Sequence, residues 1–223
     1  MPDASGPGGA LIRQETLARY LDDLLAGRRE ACRATVAELI ANEVPVRALY
    51  EGLFRDSLYE VGRRWEAGQA TVAHEHLATA ITEELLGFVF PFAQPAAPAR
   101  RTAVVSCAAD EFHQVGGRIV ADVLESSGWD VKFLGANTPV ADLAGCVRDH
   151  DPDLVALSVT VLEHVTAAAQ AIALVREVSP GVPIAVGGQA FARGGRELVL
   201  RYPGVSVVGS LEELEALARG KAS

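Results

Sequence analysis

Thr102-Ala-Val-Val-Ser-Cys-Ala-Ala-Asp-Glu-Phe-His-Gln-Val-Gly-Gly117 reads as an apolar strand to Cys107, a polar loop, and an amphipathic helix beginning near Val115. An open α/β sheet keeps its ligand at such a strand-to-helix turn. Glu111 stands two residues ahead of His113, where a carboxylate can orient an imidazole and fix its tautomer. Gly116 and Gly117, just behind, let the backbone approach a neighbour closely.

Outward from this loop, strand-like runs alternate with helical ones. Strands are expected at Thr102–Cys107, Asp130–Leu134, Leu154–Val159, Ile184–Val186 and Val205–Val208, with helices near Val115–Ser126, Val140–Asp149, Val165–Val178, Phe191–Arg201 and Leu211–Ala218. The alternation predicts a five-stranded parallel, flavodoxin-like (Rossmann-type) sheet in the order 2-1-3-4-5. In that order the His113 loop, Ser158-Val159-Thr160 and Gly187-Gly188-Gln189 fall on one edge of the sheet. Their small side chains would leave a groove beside His113 open to a bulky group.

Upstream the period is helical. Leu17, Tyr20, Leu21, Leu24 and Leu25 form one stripe, closed by Gly27, and Val36, Leu39 and Ile40 form a second. Pro45 suits the first turn of a third helix, with a stripe of Val46, Leu49, Tyr50, Leu53, Phe54 and Val61 that ends at Trp65. Thr71 can cap a fourth, which Pro91 stops near Phe90. The expected organisation is an α/β protein with a four-helix bundle over 10–92, a Pro/Ala-rich linker over 93–100 and the α/β domain over 101–220.

A net charge of −9 without any basic run argues against direct DNA binding. Three cysteines with no CxxC pair suit a reducing compartment, and neither a signal peptide nor a membrane-length apolar run is present, so a cytoplasmic protein is expected. The turn after strand one lacks GxGxxG and Gly-Lys-Ser/Thr, which excludes a dinucleotide fingerprint and a P-loop. Strand three ends in Ser158 and Thr160, where a phospho-accepting receiver domain would need an aspartate.

Glu111-Phe-His113-Gln-Val-Gly116, Ser158-Val-Thr160 and Gly187-Gly188 resemble the signature of cobalamin-binding domains, D/E-x-H-x-x-G, S-x-L or S-x-T, and G-G. The resemblance implies that cobalamin binds base-off, its benzimidazole tail slotting past Ser158 and Gly187, with His113 as the lower cobalt ligand. Trp65-Glu-Ala-Gly68 followed by Val72-Ala-His74-Glu75-His76 looks like the adenosylcobalamin photoreceptors of the CarH type. By that resemblance Trp65, Val72, Glu75 and His76 would cover the upper face of the corrin and hold the adenosyl group. Val72, Glu75, His76 and Thr79 do share one helix face, at i, i+3, i+4 and i+7.

Two departures qualify this likeness. Glu66 follows Trp65 where those photoreceptors can place a histidine, and the sequence begins with the bundle where they begin with a DNA reader. The resemblance therefore implies a stand-alone, light-responsive regulatory protein that binds adenosylcobalamin, forms a homo-oligomer and acts on an unidentified protein partner. Related stand-alone photocobilins add a bilin, which is one alternative here. Another is a corrinoid carrier that shuttles a methyl group on methylcobalamin. Such carriers often read G-D-x-H-D-I-G-K-N, whereas this chain has Glu111, Gln114 and no Lys-Asn. His74 and His76, two apart on a helix, point in different directions and form no zinc clamp. His150 and His164 read as surface residues near helix ends, Cys107 as a small buried hydrophobe, and Trp129 as packing where strand two begins.

Overall fold

A computed structural model describes residues 12–94 and 96–220. The chain divides into two compact units at the 94/95 boundary.

The first unit is a helical bundle. Its helices are α1 (Gln14–Leu25), α2 (Arg29–Ala41), a composite α3 and α4 (Val72–Val89), followed by a 3-10 turn at Phe90–Phe92 that contains Pro91. Each helix buries the stripe that its apolar period marks, and Tyr20, Leu24, Val36, Phe54, Ile81 and Leu85 meet in the core. The Tyr20 and Tyr50 rings each lie 6.4 Å from that of Phe54.

The third helix is less regular than its sequence stripe suggests. It runs through Val46–Ala48, a π-helical segment Leu49–Arg55, and Asp56–Glu66. Wider π turns broaden the inward face, so Leu49, Tyr50, Glu51, Gly52, Leu53 and Phe54 are all buried. Glu51 lies there between Arg47 at 3.4 Å and Arg55 at 3.7 Å. At the start of α4, Thr71 Oγ1 accepts from the His74 N–H at 3.3 Å and His74 Nδ1 accepts from the Thr71 N–H at 3.0 Å. This capping box satisfies donors that would otherwise be left without partners at the helix start.

The second unit is a five-stranded parallel sheet in the order β2-β1-β3-β4-β5, as the alternation of strands and helices predicts. Its strands are β1 (Thr102–Cys107), β2 (Asp130–Gly135), β3 (Leu154–Ser158), β4 (Ile184–Gly187) and β5 (Val205–Val207). Helices α5 (Val115–Ser126), α6 (Val140–His150), α7 (Val165–Val178), α8 (Ala190–Arg193), α9 (Arg196–Leu200) and α10 (Leu211–Arg219) connect and follow them. Strands β1 and β3 are buried almost throughout, as befits strands covered on both faces.

The single helix expected over Phe191–Arg201 is broken into α8 and α9 by Gly194 and Gly195, whose φ angles are 150° and 73°. A Cβ on Gly195 would lie 2.9 Å from Val165 Cγ1, so the break lets this segment close against the start of α7. Residues 96–99 do not hang free as a linker. The Ala96 N–H donates to Ser126 O and the Ala99 N–H to Gly128 O, both at 2.8 Å, which docks the segment on the α5–β2 turn. Trp129 is buried, and the Arg101 guanidinium lies 5.4 Å from its ring centroid.

Candidate functional site

The register Cys107↔Ser158 and Ser158↔Gly187 brings the carboxyl ends of β1, β3 and β4 together. At that edge the β1–α5 loop is built around Glu111, whose side chain is fully buried. Oε1 accepts the His113 N–H at 3.0 Å and lies 2.6 Å from His113 Nδ1. Oε2 accepts the N–H groups of Thr160 at 2.8 Å and Val161 at 3.0 Å, and lies 3.2 Å from His164 Nδ1.

Burial pushes this carboxyl up, but the His113 ring and the N–H groups of Val161, His113 and Thr160 outweigh it and hold the pKa at about 2. Glu111 is thus an anion at neutral pH and can only accept. Both imidazoles must therefore donate from Nδ1. In the neutral rings this places the lone pair on Nε2, and the His113 ring is 44% exposed. An Nε2 lone pair oriented by a buried carboxylate is the donor arrangement that a cobalt centre needs from a histidine.

The loop carrying this pair is tied down twice. Asn137 Oδ1 accepts the Asp110 N–H at 2.9 Å and the Asn137 N–H donates to Glu111 O at 2.8 Å, a reciprocal clasp between the β1–α5 and β2–α6 loops. Asp110 and Asn137 have φ angles of 65° and 48°, a region that Asp and Asn tolerate better than most residues. The Cys107 thiol donates to His113 O at 3.8 Å. Burial first, and the Glu111 charge second, push that thiol up to about 12, so it stays protonated and inert.

The small residues at this edge pack against each other. A Cβ on Gly116 would meet Ser158 Oγ at 3.3 Å, and one on Gly117 would meet Cys107 Sγ and the Phe133 ring, both at 3.3 Å. Gly187 faces Val208 O at 3.1 Å from its Cβ position. Gly188 has φ +113°, and a Cβ there would lie 2.2 Å from Val159 O, so no other residue fits. Ser158 is buried at this edge, whereas Gly116 and Gly188 are exposed and Thr160 and Gly187 half-buried. Thr160 contributes its backbone N–H to Glu111.

His164, read from the sequence as a surface residue, instead turns inward onto Glu111, with its side chain 23% exposed. The 3-10 turn Leu162–His164, which precedes α7, aims it there. Sequence reasoning also missed Val161 and Asn137. The only local signal was a histidine four residues after Thr160 at the same sheet edge. His150 is exposed.

In the helical unit, Trp65 near the end of α3 and Val72 at the start of α4 are both about half exposed. The turn between them is closed by Gly68, with φ 69°, whose N–H donates to Trp65 O at 2.9 Å. Glu75 Oε1 accepts from Thr79 Oγ1 at 2.9 Å, and Glu75 Oε2 lies 3.6 Å from Nε2 of the exposed His76. These residues therefore gather at one end of the bundle, with two large apolar side chains beside a polar pair.

The family profile described as B12 binding domain matches residues 101–218, more than half of the chain. The chain belongs to this family. A second profile, also described as B12 binding domain, matches residues 16–89 of the helical unit. The B12-binding chain is 37% identical over 113 residues to the HTH-type transcriptional repressor CarA of Myxococcus xanthus, covering 51% of this chain and 37% of CarA. It is 32% identical over 156 residues to the HTH-type transcriptional repressor CarH of the same organism, covering 69% of this chain and 50% of CarH. It therefore spans half or less of the length of these two relatives. Among solved structures, the monomethylamine corrinoid protein of Methanosarcina barkeri shares the fold with TM-score 0.79 at 14% identity, over 93% of this chain and 98% of that one. Among the described residues no helix is long and apolar enough to cross a membrane.

Proposed function

We propose that this B12-binding protein is a light-responsive regulator that holds adenosylcobalamin with His113 as the lower ligand. When bound, the cofactor supplies a cobalt–carbon bond weak enough for visible light to break. The residues present fit it: Glu111 holds the His113 ring in the Nδ1–H tautomer, and so presents Nε2 as a donor.

The observation that carries the regulatory reading is the set Trp65, Val72, Glu75 and His76. An indole and an isopropyl group exposed beside a carboxylate and an imidazole suit a large upper group with an apolar ring and polar edges, such as adenosyl. Removal of the upper group would strip Trp65 and Val72 of their apolar partner and drive the helical unit to repack. A coupling of about 1–3 kcal/mol between ligand state and arrangement is enough to change an oligomer or release a partner protein.

The test is reconstitution with adenosylcobalamin in the dark, followed by green light, with visible spectra and chromatographic size measured before and after. A spectral change together with a change in size supports the proposal. Unchanged spectra and size overturn it, as does efficient methyl transfer from bound methylcobalamin to a methyltransferase, which is the behaviour of a corrinoid carrier.

A further inference from the structure

We infer that His164 is a positioning residue for His113, acting through the buried carboxylate of Glu111; this rests on the reading of His113 as the lower ligand. Each oxygen of Glu111 takes one imidazole, His113 Nδ1 on Oε1 and His164 Nδ1 on Oε2. The other partners of the carboxylate are backbone N–H groups, of His113 on one side and of Thr160 and Val161 on the other. Backbone donors do not depend on which residue occupies those positions, so His164 is the contribution on the Oε2 side that side-chain identity controls.

Its placement is stiff. His164 ends a 3-10 turn, and the next residue, Val165, is buried against the Gly194–Gly195 break between α8 and α9. The ring therefore reaches Glu111 from a fixed backbone, and its N–H helps to set the plane of the carboxylate. That plane in turn sets the direction from which Oε1 receives His113 Nδ1–H. With Oε2 held only by the two backbone groups, the carboxylate can rotate, the short contact to His113 lengthens, and the Nε2–H tautomer, which cannot bind cobalt, becomes populated.

Two variants separate this role from packing. His164→Phe keeps a ring of similar size without a donor, and His164→Asn places a donor N–H where Nδ1 stood. In the cofactor-free protein, 15N ring shifts of His113 should report a single Nδ1–H tautomer for the wild type and for His164→Asn, and a mixture for His164→Phe. Titration with hydroxocobalamin should show an affinity loss on the order of tenfold for His164→Phe and wild-type behaviour for His164→Asn. A single tautomer and unchanged affinity in His164→Phe overturn the inference, as does a mixture in folded His164→Asn, a result that stands even if the Phe variant does not fold. The tautomer arm uses no cofactor. A failed His164 effect is thereby distinguished from a failed ligand assignment, which would show instead as an unchanged hydroxocobalamin spectrum in His113→Ala.

Discussion

Replacing Glu111 by Gln tests the electrostatics of the site without changing its shape. A carboxylate accepts on both oxygens, whereas an amide offers one oxygen and one NH2 group. Whichever way the new amide turns, its NH2 faces donors: the backbone N–H and ring of His113 on one side, or Thr160, Val161 and His164 on the other. Holding the carboxyl at about 2 instead of its ordinary 4.5 is worth roughly 3 kcal/mol, at about 1.36 kcal/mol per pH unit. A group with a depressed folded pKa stabilises the protein above its unfolded value and loses that contribution as pH falls through the folded one. By about pH 3 roughly 2 kcal/mol of it should be gone. The variant has no such titration, so the stability gap between the two proteins should be about 3 kcal/mol at pH 7 and should narrow in acid.

Urea unfolding of the cofactor-free chain in a Trp65→Phe background leaves Trp129, of the two tryptophans, as the reporter on the α/β unit. A melting temperature lowered on the order of 10 °C should accompany the gap at pH 7. A gap below about 1 kcal/mol at neutral pH, or one that stays constant down to pH 3, would refute the assignment of Glu111 as a buried anion held by its donors.

Three further outcomes follow from the same geometry. Gly188→Ala forces a Cβ to within 2.2 Å of Val159 O at φ +113° and should destabilise the α/β unit by more than about 2 kcal/mol, measured by urea unfolding without cofactor. Asn137→Ala removes the acceptor for the Asp110 N–H and should cost about 1–2 kcal/mol, with hydrogen exchange rising in the β1–α5 loop; protection equal to wild type would show that the clasp is idle. Burial pushes the Cys32 thiol up to about 11 and the Cys107 thiol up to about 12, so iodoacetamide at pH 8 should label the partly exposed Cys146 first, as read by peptide mass mapping.

The alternation of short apolar runs with amphipathic ones determined the parallel sheet, because helices on both faces demand crossover connections. The sequence also placed His113, Ser158 and Gly187 at one edge, since strand ends in a parallel sheet share a side. A spacing of two residues sufficed to pair Glu111 with His113, a contact made within one loop.

What occupies the other oxygen of Glu111 was decided by the tertiary structure. Thr160, Val161 and His164 lie 49 to 53 residues away in the chain, and pairing of β1 with β3 brings them there. A histidine that begins a helix looks solvated until the carboxylate it faces is known. The π-helical stretch of α3 and the break at Gly194–Gly195 have the same origin. Periodicity reports which side of a segment is apolar, whereas local winding and interstitial space depend on the shapes of the neighbours that pack against it.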